Sequence, residues 1–373
     1  MSRALDPKAI AALKTGDHQK ISNDIADVFT YNSGGDVDPR QPLIEIEILS
    51  GFGFDPTRNI LQDDNAVAVP KLRLVQAFFV ARSFLLEQKQ QIALGKAVND
   101  QALSEQFHRA TAVCLLMDAE NLTAANTRKR LIVQGLAVAR TSATAPASSP
   151  SEPGKSASPF IHLLRREKWL LDSLLTSRLH RHTKSPTLWN HRRWLLDLFR
   201  LHGLETEVDA TREVASIVGV SGERHPRNYY AWNHARWLVR HFHYEAAELV
   251  EMAKNWAWQH HTDISGWSFL VFVLNIHREL APSVYRGTLG LAESLHWRNE
   301  SVWWFLRTVS AGSMLDVDGK AVADHRAAFV CLGRNLFEGD GRDQSDHAEE
   351  ERSMWIKAKT WTEKNRDKPK NLP

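Results

Sequence analysis

Cysteine is nearly missing from this chain: Cys114 and Cys331 are the only two in 373 residues. Two thiols make neither a disulfide framework nor a cysteine zinc site, and a reducing compartment follows. A surplus of one charge is missing as well. Forty-seven basic residues stand against 44 acidic ones, a net charge of +3, which is weak ground for a nucleic-acid partner. No stretch approaches the roughly 18 apolar residues of a membrane span. The opening residues have no apolar signal core, and the closing Lys-Asn-Leu-Pro is neither a prenylation box nor a retention signal. The expectation is a soluble, cytoplasmic protein with no stable membrane insertion.

Chemistry-bearing constellations are scarce too. No Ser/His/Asp arrangement and no phosphate loop is visible. The 17 histidines include His241-x-His243 and the adjacent His260 and His261, but neighbouring histidines point in different directions on a helix. With no HExxH present, a metal site in this chain is not expected.

What is abundant is tryptophan: 13, against 5 tyrosines. A Trp must bury a large ring while giving its N–H a partner, so such an excess implies one structural position used repeatedly. Trp189, Trp232, Trp267 and Trp303 recur at intervals of 43, 35 and 36 residues. Four residues before each stands a small polar residue suited to cap a helix: Ser185, Asn228, Asp263 and Asn299. Pro186 and Pro226 add the proline favoured at a helix start. A degenerate copy has Ala125 in place of Trp, with Asn126, Arg128 and Lys129 matching Asn190, Arg192 and Arg193.

Between the Trp helices lie second helices, near 207–218, 245–259 and 282–295. The unit is therefore a helix pair of about 35 to 43 residues, the size of an α-solenoid repeat. This predicts an all-α fold, an α-α superhelix: a right-handed solenoid of helical hairpins of the tetratricopeptide kind. Within a unit, Trp189 and Arg193 lie one turn apart, as do Trp232 and Arg236. The expectation is that each Trp fills the gap between stacked pairs while the Asn and Arg after it bond loop carbonyls left open at helix ends. Trp194, Trp237 and Arg307 complete the signature, and Val271 stands where Arg would recur.

Three regions are expected. Residues 1–109 form an N-terminal helical region with a poorly ordered loop near 32–42. The run 43–49 alternates like a strand, but no second alternating run is evident, so it reads as an extended edge or the start of a helix. Residues 110–310 carry the repeats, broken by a Ser/Ala/Pro-rich segment, 141–159, too poor in large apolar side chains to offset its ordering entropy. Residues 311–373 supply C-terminal helices and a solvated basic tail.

The string HPRNYYAWNHARWLV, from His225 to Val239, and SPTLWNHRRW, from Ser185 to Trp194, resemble the repeat of protein prenyltransferase α subunits. That repeat reads Pro-x-Asn-Tyr-x-x-Trp-x-x-Arg-Arg/Gln-Trp. Two copies are nearly complete and three are partial, spanning roughly 110–310. The long insertion and the degenerate copies are more similar to the divergent α-subunit repeat-containing protein 1 group than to a standard farnesyltransferase α chain. The resemblance implies a scaffold subunit wrapped around a separate β subunit, which carries the zinc and the isoprenoid pocket. The pair transfers an isoprenoid from a prenyl diphosphate to a cysteine of a protein substrate. It also implies a diphosphate or partner contact at Arg227, Asn228 and Tyr229, although Arg227 stands where farnesyl and type I geranylgeranyl enzymes have Lys. A helical-repeat scaffold that binds another protein without catalysis is the alternative. A repeat reading RNA is disfavoured by the small net charge and by the Trp position inside the helix.

Overall fold

A computed structural model describes residues 11, 13–29, 42–49, 58–93, 101–143, 159–311, 313–315, 321–337 and 346–365. Most of both expected irregular segments, 30–41 and 144–158, lies outside the described residues, as does the end of the basic tail. The chain divides into two compact units, 1–205 and 206–373. Both are built of helical hairpins, and the fold is an all-α helical repeat.

In the first unit, α1 (His18–Val28) precedes a small sheet of β1 (Glu45–Leu49), β2 (Leu61–Asp63) and β3 (Ala66–Pro70). β1 pairs parallel to β3, with Ile46 opposite Val67, and β2 pairs antiparallel to β3 on its other side. The alternating run at 43–49 is thus a strand after all. Its partner is the run Ala66-Val-Ala-Val, whose alternation shows little contrast because alanine fills the outward positions. Ile46, Val67 and Val69 are buried. The sheet is tied to the helix that carries Trp169 and Ser173, because the Trp169 indole N–H donates to Pro42 O at 3.0 Å and the Ile44 N–H to Ser173 Oγ at 3.1 Å.

Five long helices follow: α2 (Lys71–Ala93), α3 (Gln101–Met117), α4 (Leu122–Ala143), α5 (Pro159–Leu175) and α6 (Pro186–Leu201), with one helical turn, His180–Thr183, between the last two. α4 is the degenerate repeat helix and α6 the first Trp helix. They pack on each other and both pack on α5. On α6 the buried side chains Leu188, Trp189, Arg192, Leu195, Leu196 and Phe199 follow the three- and four-residue spacing of one helix face.

The second unit runs from a broken helix, α7 (210–224), through α8 (Tyr229–His241), α9 (Ala246–Gln259), α10 (Ile264–Ile276), α11 (Ala281–Ser294), α12 (Glu300–Ala311) and α13 (Ala321–Phe337) to α14 (Asp346–Lys364). The Trp helices α8, α10 and α12 pack in succession, with α9 against α10 and α11 against α12. Their rings each anchor an aromatic cluster in the core. Trp232 meets Trp256 edge-on at 4.6 Å and Phe269 at 5.2 Å. Trp267 meets Phe305 at 4.8 Å, and Trp303 is enclosed by Phe329, Phe337 and Trp355. Room for such rings is made by glycine: a Cβ on Gly266 would lie 2.2 Å from Trp256 Cζ3.

Candidate functional site

Each repeat helix begins the same way. Asn121, Ser185, Asn228 and Asn299 accept a hydrogen bond from the backbone N–H three residues on, and Asp263 from the one two residues on, at 2.8–3.2 Å. These are the caps expected from sequence, and Asn121 extends the set to the copy that lacks Trp. Three indoles repeat a second bond. The N–H of Trp189, Trp267 and Trp303 donates to the carbonyl six residues earlier, on Thr183, His261 and Trp297, at 2.8–2.9 Å. Cap and indole together fix the turn entering each helix.

The repeat at Trp232 departs from this pattern. Arg227, just before the cap, adopts φ +59, the left-handed region. Its backbone N–H donates to Asp263 Oδ2 at 2.8 Å, tying the turn to the cap of the next repeat. The buried Trp232 N–H has no acceptor among the described residues. The three motif residues then divide sharply. Asn228 is fully buried, capping α8 and donating through Nδ2 to Ser221 Oγ at 2.9 Å. Arg227 is exposed and Tyr229 is 69% exposed, its ring edge-on to Tyr230.

Along α8 this exposed edge continues through Asn233 to Arg236 and Arg240. Arg236 is half-buried, donating to Trp232 O at 3.0 Å and to Ser268 Oγ at 2.8 Å, with Phe272 beside its guanidinium. Burial lowers its pKa. Arg240 lies over the same ring at 5.0 Å. The face joins three cations, two tyrosines and a phenylalanine, a composition suited to an anionic or aromatic contact.

The other signature residues fall into two classes, and the expected role of the Asn and Arg is corrected. Asn126, Asn190 and Asn233, each one residue past the Trp position, are exposed and do not seal helix ends. Arg193, four past Trp189, is exposed as well. The buried cations are those three past the Trp position, Arg128 and Arg192, and their principal partners are carboxylates on α5. Arg128 makes a forked pair with Glu167, donating through Nε and Nη2 at 2.6–3.0 Å, and bonds His108 O and Thr111 Oγ1 through Nη1. Arg192 Nε donates to Asp172 Oδ1 at 2.7 Å, with Lys168 on the other carboxylate oxygen. Lys129 lies over the Trp194 ring at 5.4 Å, Trp237 is buried, and Arg307 lies over Trp361 at 5.4 Å.

The histidines act as repeat parts. Nδ1–H of His241 and of His260 donates to the carbonyl four residues back, and each ring stacks on a Trp of its own helix. Among the described residues no cluster of three or more His, Cys, Asp or Glu is placed to hold a metal. No described helix is long and apolar enough to cross a membrane.

Two buried histidines give the first unit a pH dependence. Burial, reinforced by Arg128 and Arg166, pushes the His108 pKa down to about 3. Burial pushes His191 down to about 4, although Glu167 lies 3.3 Å away and works the other way. The native state therefore refuses protons that the unfolded chain accepts below about pH 6.5. The stability these groups contribute is present above that pH and is lost on acidification towards their folded values. Between pH 7.5 and pH 5 each histidine removes about 2 kcal/mol from the unfolding free energy. Denaturant titrations across that range measure it, and His191→Asn loses its share of the slope. A flat profile would contradict the account.

Comparison with known families agrees with this geometry. The class is an all-α helical-repeat protein, and residues 173–199, the end of α5 through most of α6, match the protein prenyltransferase alpha subunit repeat. The chain thus carries that repeat, in divergent form. Residues 188–286, from α6 into α11, match the ECM9 middle domain. No curated protein matches the chain.

Proposed function

We propose that this chain is the α-type scaffold subunit of a heterodimeric protein prenyltransferase. Its partner would be a β subunit that holds the zinc and the isoprenoid pocket, and the reaction would move an isoprenoid from a prenyl diphosphate to an acceptor cysteine of a protein substrate. The match at 173–199 to the alpha subunit repeat supports the relation. The observation that carries the reading lies at the start of α8. The motif's Asn228 is locked in the core while Arg227 and Tyr229 are presented outward, with Arg236 and Arg240 further along. A guanidinium there can grip a diphosphate through two N–H groups at once.

Co-expression with prenyltransferase β subunits, followed by size exclusion and a prenyl-transfer assay, tests the reading. A stable heterodimer is expected, active only when both chains are present, with transfer reduced about tenfold by Arg227→Ala through loss of one charge-assisted contact. Failure to associate with any β subunit would reject it. A non-enzymatic scaffold binding another protein is the second reading. It is favoured by Arg227 itself, which replaces the family's Lys on a left-handed backbone. That reading predicts a complex without isoprenoid transfer.

A further inference from the structure

We infer that the N-terminal unit holds a separate binding groove for a single-chain lipid anion, between α2 and α4. The groove encloses about 530 Å³, within the range of small-ligand sites. One wall is the α2 stripe Phe78, Arg82, Leu85, Leu86 and Lys89, spaced at three and four residues. The opposite wall runs along α4 from Leu122 to Gln134, a length of about 18 Å at the rise of an α-helix. Phe107 and Cys114 of α3 form the floor.

Two features together point to the ligand. The apolar lining is open to water: Leu86 is 52% exposed and Leu122 62% exposed, the kind of surface a ligand chain would cover. The charged lining residues are Arg82, Lys89 and Arg130, with no carboxylate among the described residues that line it. These cations stand beside apolar side chains contributed mainly by α2 and α3, across from an α4 wall that is largely polar but uncharged apart from Arg130. No acidic side chain among the described residues lines the groove. A chain with an anionic head satisfies both halves, and two guanidinium groups favour a phosphate head. Burial pushes the Cys114 thiol up to about 12, which keeps it protonated and makes the groove a place for binding rather than thiol chemistry. The copy of the repeat that forms this wall is the one in which Ala125 replaces Trp.

The groove is distinct from the start of α8 and does not depend on the proposed catalytic partnership. Isothermal titration of the full chain with dodecyl phosphate, dodecanol and inorganic phosphate tests it. One molecule of dodecyl phosphate should bind per chain, below the concentration at which it forms micelles. Dodecanol and phosphate alone should bind at least tenfold more weakly. The double variant Arg82→Gln/Arg130→Gln removes two exposed cations that make no ion pair among the described residues, so it should keep the parent's melting temperature. It should weaken dodecyl phosphate by about tenfold per arginine, whereas Arg227→Ala should leave it unchanged. Equal binding of dodecanol, several molecules per chain, or no effect of the double variant would overturn the proposal. So would a groove that binds an acidic amphipathic peptide but not dodecyl phosphate, since that assigns it to a protein partner.

Discussion

Arg128→Met lowers the unfolding free energy of the first unit by about 3–5 kcal/mol, the usual cost of stripping one partner from a buried ion pair. Arg128 and Glu167 are both almost wholly removed from water, at 2% and 0% side-chain exposure. Burial alone would raise the Glu167 pKa, but the forked guanidinium overcomes it and holds the carboxyl well below the usual range. Without Arg128, a buried carboxylate faces only the neutral His191. Its pKa then rises, so the deficit shrinks as the pH falls and Glu167 takes up a proton. Arg128→Met combined with Glu167→Leu recovers most of the loss, because no charge is left stranded. Urea titrations of the two single variants and the double at pH 7.5 and pH 5 measure all of this. If the single losses simply add in the double, the two residues are not coupled and the account fails. The exposed pair of Lys20 with Asp24 is the internal control: its removal changes stability by less than about 1 kcal/mol.

Those carboxylates also mark where reading the sequence stopped. The Trp spacing and the caps were legible because a helix start is a local signal, written within four or five residues. The partner of Arg128 lies 39 residues away and that of Arg192 lies 20 away. Nothing in the repeat motif names a Glu and an Asp on the intervening helix. The only available hint was that Glu167 and Asp172 are the two acidic residues of a stretch otherwise made mostly of apolar and basic side chains. Likewise, spacing placed Arg193 near Trp189, but spacing alone does not say which edge of the helix is packed, and the structure buries Arg192 instead. From sequence the run at 43–49 reads as either an extended edge or a helix start, because its partner alternates valine with alanine, a pattern of low contrast. At the candidate site, Tyr229 is exposed, which a solvated helix start gives as well as a surface contact. The left-handed backbone at Arg227 had no sequence signal, since such a conformation is ordinarily flagged by Gly or Asn.

The unpaired N–H of Trp232 separates the four tryptophans in a way that stability measurements can read. Trp267→Ala removes a wholly buried ring from between α8 and α12 and costs about 3–5 kcal/mol. Trp232→Ala costs the same on burial grounds, as that ring is 1% exposed. Replacement by Phe is the finer probe, because it keeps an aromatic ring and deletes the indole N–H. At Trp189, Trp267 and Trp303 the lost donor leaves a carbonyl without its bond, adding about 1 kcal/mol to the cost of the smaller ring. At Trp232 the N–H had no acceptor to lose, so its burial was already a penalty that Phe relieves. Trp232→Phe is therefore the mildest of the four by about 1 kcal/mol or more. The measurement is chemical denaturation followed by far-UV circular dichroism, which does not depend on the fluorescence of the residue removed. A ranking in which Trp232→Phe is as costly as Trp267→Phe would mean that the indole of Trp232 finds an acceptor in solution. The Trp232 repeat would then share the indole bond of the other three.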